Sequence, residues 1–243
     1  MLVDVIVPAY NPGCYLREAL QSCMQQSYKK FTVTVVDDCS TEDVKIVVDQ
    51  FPGVKYIRTE KNLGPAGARN VGIRSTKGEL ISLLDSDDIW DNNKLLYSVR
   101  EFEKHPEIGM TCGNYRILVH GRLRSAFYKK SPVINWKTLM GVNLVASGSV
   151  TIKRTALECV GLFDETLWIA EDYNCWLSIA EKYPISYISK VLYLYRIIPG
   201  GTSLTQRNDI QRDHLSNLTK IKRASLERMK LAEANRKALE DTD

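Results

Sequence analysis

The fold is decided by three consecutive stretches near the start of the chain: Val3-Asp4-Val5-Ile6-Val7, Tyr15 to Gln26, and Phe31-Thr32-Val33-Thr34-Val35-Val36. The first and third are short β-branched runs bounded by turn-forming residues, which is typical of buried strands. The second places apolar residues at helical spacing, namely Leu16, Ala19, Leu20, Cys23 and Met24. A strand, a helix and a second strand in this order predict a parallel βαβ unit with a right-handed crossover.

The same alternation continues through about the first hundred residues. We predict a helix from Asp43 to Phe51, a strand from Val54 to Arg58, a helix from Gly64 to Ser75 and a strand from Leu80 to Leu84. Later elements are strands at Met110 to Val119 and Ser149 to Lys153, a helix at Asp172 to Lys182, and a strand pair within Ile185 to Tyr195. The pattern indicates an α/β fold whose central, mostly parallel sheet is flanked by helices and binds ligands at its carboxyl edge.

The pattern changes after Gly200-Gly201. Apolar residues recur at helical spacing, at Leu215, Leu218, Ile221, Leu226 and Met229, amid Lys220, Lys222, Arg223, Arg228 and Lys230. We therefore predict a C-terminal amphipathic helix with a basic face. Packing on its own domain or on a second copy of the chain is favoured over a membrane-surface helix, and these alternatives stay open. The stretch from Ile197 to Ser203 is interpreted as either a mobile lid or a linker.

Composition excludes several classes of protein. The 243 residues are 44% hydrophobic, which is typical of a globular domain, and the net charge of +4 is too small to indicate nucleic-acid binding. No apolar run approaches the roughly 18 residues that span a bilayer. Six cysteines without CxxC pairs favour reduced thiols and a cytoplasmic protein, with peripheral contact at the inner face of the membrane as an open alternative.

Carboxylates directly follow the apolar strand that ends at Leu84, at Asp85, Asp87 and Asp88. Asp85 and Asp87 would share one face if strand geometry continued through Ser86. Two carboxylates so placed repel each other unless a cation lies between them, and a hard divalent ion with oxygen ligands would relieve that repulsion. The pattern therefore predicts a Mg²⁺ or Mn²⁺ site that could also hold a diphosphate.

Two further motifs lie at predicted ligand-binding positions. Asp38, at the end of the second strand, would accept hydrogen bonds from a base or ribose. The structural alternative is that Asp37 or Asp38 caps a helix that begins near Thr41. The Gly/Ala-rich stretch from Asn62 to Gly72 permits a close approach to a ligand, and Arg69 within it offers a fixed cation to a base or phosphate.

An acidic pair, Glu171 and Asp172, opens a predicted helix. Acidic residues favour the first turn of any helix, so a purely structural interpretation is available. The functional interpretation is that Asp172 takes a proton from an attacking hydroxyl group.

Taken together, five motifs resemble the family 2 glycosyltransferases in order and spacing. They are Pro8-Ala9-Tyr10-Asn11, Val36-Asp37-Asp38-Cys39-Ser40-Thr41, Gly67-Ala68-Arg69-Asn70, Leu84-Asp85-Ser86-Asp87-Asp88 and Glu171-Asp172. The resemblance covers about residues 1–205 and implies the glycosyltransferase-A fold. It divides the catalytic domain into a nucleotide-sugar-binding half, residues 1–110, and an acceptor-binding half, residues 111–205, with residues 206–243 as the helical extension.

The resemblance implies inverting transfer of a sugar from a nucleotide diphosphate sugar, expected to be a UDP-sugar, to a hydroxyl of a glycan, glycolipid or glycoprotein. It implies that the nucleotide is bound by Pro8, Ala9, Tyr10, Asn11, Asp38, Arg69, Asp85 and Ser86. Asp85 and Asp87 would hold the divalent metal, Asp172 would be the catalytic base, and Glu171 would assist it. The chain departs from many relatives in having no histidine soon after Tyr195-Arg196.

Two other functions are weighed against this one. A sugar nucleotidyltransferase would have a Gly-rich loop with Arg or Lys after the first strand, whereas this chain has Ala9 to Gly13 there, so that function is disfavoured. A non-catalytic nucleotide-sugar binding protein would keep the fold without turnover. The presence of Asp85, Asp87 and Asp172 argues against it.

Overall fold

The structure is a computed structural model that describes residues 1–126, 134–198 and 208–240, without the side chains of 126, 208–214 and 238–240. The predicted lid or linker, from residue 199 on, and the predicted boundary at 205–206 lie outside the described residues. The strands are β1 (Val3–Ala9), β2 (Phe31–Asp37), β3 (Val54–Arg58), β4 (Leu80–Leu83), β5 (Ile89–Trp90), β6 (Met110–Val119), β7 (Arg122–Ala126), β8 (Thr151–Lys153) and β9 (Ile185–Ile197). The helices are α1 (Tyr15–Met24), α2 (Val44–Val48), α3 (Gly64–Arg74), α4 (Lys94–Lys104), α5 (Trp136–Gly141), α6 (Arg154–Cys159), α7 (Glu171–Ala180) and α8 (Asn208–Glu240), with a 3₁₀ turn at Ser147–Ser149.

All the described strands belong to one mixed sheet in the order β3-β2-β1-β4-β8-β6-β9-β5, with β7 paired to β6. The first four strands of that order are parallel, as the βαβ pattern predicted. Strand β8 is antiparallel to both β4 and β6, whereas β6 and β9 are parallel. The predicted α/β fold with helices on both sides of the sheet is confirmed. The carboxyl ends of β1, β2 and β4 lie at one edge.

Strand β1 explains why the sheet is covered on both faces. Its side chains alternate, so that Val3, Val5 and Val7 belong to one buried cluster and Ile6 belongs to another. The first cluster includes apolar residues of α1, α2 and α4, and the second includes those of α3, α6 and α7. Burial on both faces is what requires near-continuous apolar runs in the parallel strands.

Two predicted elements differ from those observed. The strand pair predicted within Ile185 to Tyr195 is one strand, β9, because register shifts between Gly113 and Tyr115 let it follow β6 without a turn. The helix predicted from Asp43 to Phe51 is only α2, and its N-terminal cap is Asp43, whose side chain accepts from the Ile46 N–H at 3.3 Å. Neither Asp37 nor Asp38 caps that helix.

Helix α8 packs on its own domain through a narrower stripe than its apolar pattern suggests. Ile221 and Ser225 are buried, and the Trp136 Nε1–H donates to Ser225 Oγ at 2.9 Å. Leu215 and Leu226 are exposed. Within the described part of the chain, no helix is both long and apolar enough to cross a membrane.

Candidate active site

The acidic residues that follow β4 lie on a turn. The Asp88 N–H donates to the Asp85 carbonyl oxygen at 3.1 Å, and strand geometry ends at Leu83. The strand geometry that would have placed Asp85 and Asp87 on one face therefore does not continue through Ser86. The charge of Asp85 still acts on Asp87. Burial and that neighbouring charge together raise the pKa of Asp87 to about 6.

Arg69 of α3 links this turn to the start of α7. Its Nη2 lies 3.1 Å from Asp85 Oδ1, and its Nη1 lies 2.6 Å from Glu171 Oε1. The Arg69 side chain is only 5% exposed and Glu171 is also buried, so their ion pair lies away from bulk water, whereas Asp85 is partly exposed. Although burial alone would lower the pKa of Arg69, the charges of Asp85 and Glu171 raise it, so the guanidinium stays charged. The predicted nucleotide-binding Arg69 thus contacts two carboxylates, and its contact with a nucleotide stays a prediction.

Asp38 holds the beginning of the helix that carries Arg69. Its Oδ1 accepts from the Leu63 N–H and its Oδ2 from the Gly64 N–H, each at 2.8 Å, and the Thr59 hydroxyl donates to Oδ1 at 3.0 Å. The side chain is buried. In this structure Asp38 positions α3, and a contact with a base or ribose also stays a prediction.

The end of β1 and the residues after it are hydrogen-bonded to the end of β2 and the residues after that strand. The Ala9 carbonyl accepts from the Asp38 N–H at 2.8 Å, and Asn11 Oδ1 accepts from the Thr41 N–H at 2.8 Å. Pro8 and Ala9 are the last two residues of β1. Tyr10, which follows them, is half exposed. The predicted nucleotide-binding segment therefore lies beside Asp38 at the carboxyl edge of the sheet.

The start of α7 presents two carboxylates in different surroundings. Glu171 is buried against Arg69, and burial together with the charge of Asp172 raises the pKa of Glu171 to about 7. Asp172 is half buried, and its Oδ2 accepts from the Ser147 hydroxyl at 2.7 Å. Its Oδ1 accepts from the Tyr173 N–H at 2.6 Å. The structure thus brings Asp85, Glu171 and Asp172 into one neighbourhood through Arg69.

Arg196 closes the other side of the acidic turn. Its backbone N–H donates to Asp88 Oδ1 at 2.7 Å, and its side-chain Nε–H donates to the Asp87 carbonyl oxygen at 2.8 Å. Asp88 is fully buried, and its Oδ2 has no hydrogen-bond partner among the described residues. Burial and the charges of Asp87 and Asp85 raise the pKa of Asp88 well above its ordinary value.

Sequence reasoning missed the roles of Ser147 and Arg196. Ser147 lies 25 residues from Asp172 along the chain, and Arg196 lies 108 residues from Asp88. Neither stands in a pattern that carries chemistry by itself. The only signal for Arg196 in the sequence is its place in the Tyr195-Arg196 pair.

The carboxylates after β4 fit a divalent cation. Their donor atoms are oxygens, and burial together with the charge of Asp85 disfavours the charged form of Asp87, a cost that a bound cation would relieve. Among those residues, no group of three or more His, Cys, Asp or Glu side chains is arranged to hold a metal ion by itself. A cation held by Asp85 and Asp87 would therefore take further oxygens from a diphosphate or from water.

Two surface cavities lie elsewhere. One, of about 560 Å³, is lined by residues between Arg58 and Val71, and another, of about 500 Å³, lies between α6, α7 and Arg228 of α8. Neither is lined by Asp85, Asp87 or Asp172. The chemistry of the acidic cluster, rather than the size of a cavity, therefore defines the candidate site.

Comparison with known proteins bears on the family of this chain. The sequence profile of the family described as Glycosyl transferase family 2 matches residues 4–161. An uncharacterized glycosyltransferase of Haemophilus influenzae is 33% identical over 161 residues, which are 65% of this chain and 64% of the relative. The chain thus spans less than two thirds of the length of that relative.

Two named proteins are also similar. The UDP-Glc:alpha-D-GlcNAc-diphosphoundecaprenol beta-1,3-glucosyltransferase WfgD of Escherichia coli is 29% identical over 215 residues, which cover 87% of this chain and 83% of WfgD. The crystal structure of S. aureus TarS 1-349 in complex with UDP-GlcNAc superposes with a TM-score of 0.70 and 26% identity, covering 82% of this chain and 59% of that one.

Proposed function

This chain belongs to glycosyl transferase family 2, and on that premise we propose that it is an inverting glycosyltransferase. It moves a sugar from a nucleotide diphosphate sugar, expected to be a UDP-sugar, to an acceptor hydroxyl by one direct displacement. Residues 1–205 form the catalytic domain, with the donor bound by residues 1–110 and the acceptor by residues 111–205. Residues 206–243 form the helical extension.

One observation carries the proposal. A single buried guanidinium, that of Arg69, contacts Asp85 after β4 and Glu171 at the start of α7. It therefore brings the proposed donor-binding acids and the proposed base, Asp172, around one centre although they come from distant parts of the chain. A displacement needs leaving-group and nucleophile machinery in one place.

On the leaving side, the chain supplies Asp85 and Asp87 to hold a divalent cation, with Asp88 and Arg196 fixing the turn from behind. When bound, such a cation supplies Lewis acidity to the departing diphosphate. The family resemblance assigns the nucleoside to the segment from Pro8 to Asn11. Asp38 fixes the adjoining helix there.

On the acceptor side, Asp172 accepts the proton of the attacking hydroxyl. An alcohol has a pKa far above 7, so it needs a carboxylate within about 2.6 to 3.2 Å as it attacks. Asp172 is half buried and keeps unused lone pairs on both oxygens, since a carboxylate has about four acceptor positions. Glu171 is paired with Arg69 at 2.6 Å, so we assign it to holding Arg69 rather than to taking the proton of the hydroxyl.

The substrates are proposed by class. TarS was crystallised with UDP-GlcNAc and WfgD is named for a UDP-glucose donor, which supports a UDP-sugar here. WfgD is also named for a lipid-diphosphate-linked sugar acceptor, so we place a glycolipid first among glycan, glycolipid and glycoprotein acceptors. The basic residues of α8 are consistent with peripheral contact with an anionic membrane, and a second copy of the chain is the other partner proposed for this helix.

The first test is a screen of nucleotide sugars by thermal shift, with and without Mn²⁺. A ligand that binds the folded state raises its stability by about 2.7 kcal/mol at a hundred times its dissociation constant. We expect one UDP-sugar to raise the Tm, with a larger rise when Mn²⁺ is present. A chain that no nucleotide sugar stabilises would contradict the proposal.

The second test is Asp172→Asn, assayed with the sugar donor that the screen selects. We expect kcat to fall by about 100- to 10,000-fold, because a general base contributes that much, while the Tm rise with UDP and Mn²⁺ is retained. Asp164→Asn is the matched control, since Asp164 is an exposed carboxylate near the same helix. Undiminished turnover by Asp172→Asn would remove the base assignment, and donor binding without any turnover by the wild type would favour a binding protein.

A further inference from the structure

The short 3₁₀ turn Ser147–Ser149 separates the proposed base from the acids that follow β4. On one side, the Ser147 hydroxyl donates to Asp172 Oδ2 at 2.7 Å. On the other, a methyl group placed on Gly148 would lie 3.5 Å from Asp88 Oδ2 and 2.9 Å from Tyr193 Cε2. The turn therefore fits closely between the two halves of the site, and only glycine fits at its centre.

The turn is also held by hydrogen bonds from Trp90 and Lys94, which lie shortly after the acidic motif in the chain. The indole Nε1–H of Trp90 donates to the Gly148 carbonyl at 2.7 Å, and Trp90 is buried. The ammonium of Lys94 donates to the Val150 carbonyl at 2.7 Å and lies 4.4 Å from the centre of the Trp90 ring. The centre of the turn and the residue after it are thus held by side chains that begin two residues after Asp88.

These contacts fix the carboxylate of Asp172 as well as the turn. One oxygen accepts from the Ser147 hydroxyl and the other from the N–H of Tyr173, so both have a donor of fixed position. The terminal torsion of an aspartate is otherwise broad. Without Ser147, only the Tyr173 N–H would restrain rotation of the group that must meet the acceptor hydroxyl.

We propose that Ser147 is a positioning residue for the proton-accepting Asp172, and that Trp90 holds the Ser147 turn in register with the donor-binding acids. This inference rests on the proposed function, since it assigns Asp172 as the base. Ser147 acts through Asp172 and does not itself exchange a proton with substrate.

The test is Ser147→Ala, with steady-state kinetics for the donor and acceptor. We expect kcat to fall about 10- to 100-fold, because small misplacement of a reacting group has effects of this size, while KM for the donor sugar is unchanged. Ser147→Thr keeps the hydroxyl and is expected to restore most of the lost kcat. Loss of kcat in both variants with unchanged Tm would overturn the positioning role of the hydroxyl.

Ser149→Ala is the matched control on the same turn. Its hydroxyl donates to the Ala146 carbonyl at 2.8 Å and does not touch Asp172. We expect it to lower the Tm at least as much as Ser147→Ala does, with kcat unchanged. If Ser149→Ala lowered kcat as much as Ser147→Ala, the effect would come from the turn's stability and the inference would fail.

A double mutant separates this inference from the proposed function. Because Ser147 acts through Asp172, adding Ser147→Ala to Asp172→Asn is expected to lower kcat by less than 2-fold further, far from additive. Additive losses would overturn the inference while leaving the base assignment intact. Full activity of Asp172→Asn alone would instead remove the proposed function.

Discussion

Two groups of acidic side chains lie at the same edge of the sheet and differ in how the chain uses their oxygens. One group, Asp37 and Asp38, follows β2, and the other, Asp85, Asp87 and Asp88, follows β4. In the sequence they look alike, since each is a run of carboxylates after an apolar strand. In the structure the first group is fully engaged by hydrogen-bond donors, whereas in the second group Asp85 pairs with Arg69 and Asp88 keeps one oxygen without a partner among the described residues.

Asp37 and Asp38 are saturated with hydrogen bonds. Asp37 accepts from the Tyr56 hydroxyl at 2.6 Å, from the Ser40 N–H at 2.9 Å and from Arg58, and Asp38 accepts from two backbone N–H groups and a hydroxyl. Burial alone would raise the pKa of Asp37, but these donors hold it below its ordinary value. Such acids stabilise the fold, and a contact of Asp38 with a nucleotide stays a prediction.

Asp87 and Asp88 after β4 show the opposite state, although Asp85 pairs with Arg69. The pKa of Asp87 is raised to about 6, the pKa of Asp88 is raised well above its ordinary value, and Asp88 Oδ2 has no partner among the described residues. Burial and mutual repulsion disfavour the charged forms of these two carboxyl groups, and a bound cation would stabilise them. The number of hydrogen-bond donors that a carboxylate accepts from therefore separates the two groups better than its position after a strand does.

The largest expected effect comes from Asp87→Asn. We expect kcat/KM to fall by about 1,000-fold, or about 4 kcal/mol of transition-state stabilisation, because the leaving diphosphate loses its cation-holding carboxylate. The Tm without metal should stay level or rise, since a like-charge repulsion disappears. Turnover assays and a melting curve of the same preparation measure both. Normal turnover by Asp87→Asn, or a much lower Tm than that of the wild type, would contradict the functional role assigned to Asp87.

The next effect concerns stability. Asp38→Ala leaves three donors without their acceptor, so we expect the free energy of unfolding to fall by about 3 kcal/mol in urea denaturation. Asp43→Ala is the matched control, because Asp43 caps α2 at the surface and its loss should cost about 1 kcal/mol. If Asp38→Ala were no more destabilising than Asp43→Ala, Asp38 would not be the structural acid that its contacts indicate.

The smallest effect is a pH dependence carried by Glu171. Its pKa is about 7 in the folded chain against an ordinary 4.5, so the folded state binds more protons between these values and stability falls as pH rises through them. Glu171→Gln removes that slope. We expect the wild type to lose about 2 kcal/mol more than Glu171→Gln between about pH 5 and pH 7, measured by urea denaturation without metal.

Asp37→Asn is a second variant for that test, because the pKa of Asp37 is shifted in the opposite direction to that of Glu171. The lowered pKa of Asp37 means that its contribution is present above about pH 4 and is lost as pH falls further. Its stability curve should therefore run parallel to the wild type between pH 5 and pH 7 and converge with it only in acid. A neutral-range divergence for Asp37→Asn, or none for Glu171→Gln, would contradict the assignments.

Much of the fold was predictable from local pattern. Strands β1 to β4 and helix α3 agree with their predicted bounds to within about two residues, because both faces of a parallel sheet must be apolar and its crossovers need helices. Predictions that assumed regular geometry beyond an element failed. Strand alternation did not extend from Leu83 to Asp87, and the cap of α2 is Asp43 rather than an acid next to β2.

The sequence by itself determined the α/β architecture and which carboxylates lie at the carboxyl edge of the sheet, since both follow from periodicity and from residues adjacent in the chain. Only the tertiary structure decided what each carboxylate contacts. Arg69 meets Glu171 across 102 residues, and Arg196 meets Asp88 across 108. Such contacts depend on how packed elements are oriented relative to one another, and no local spacing encodes that orientation.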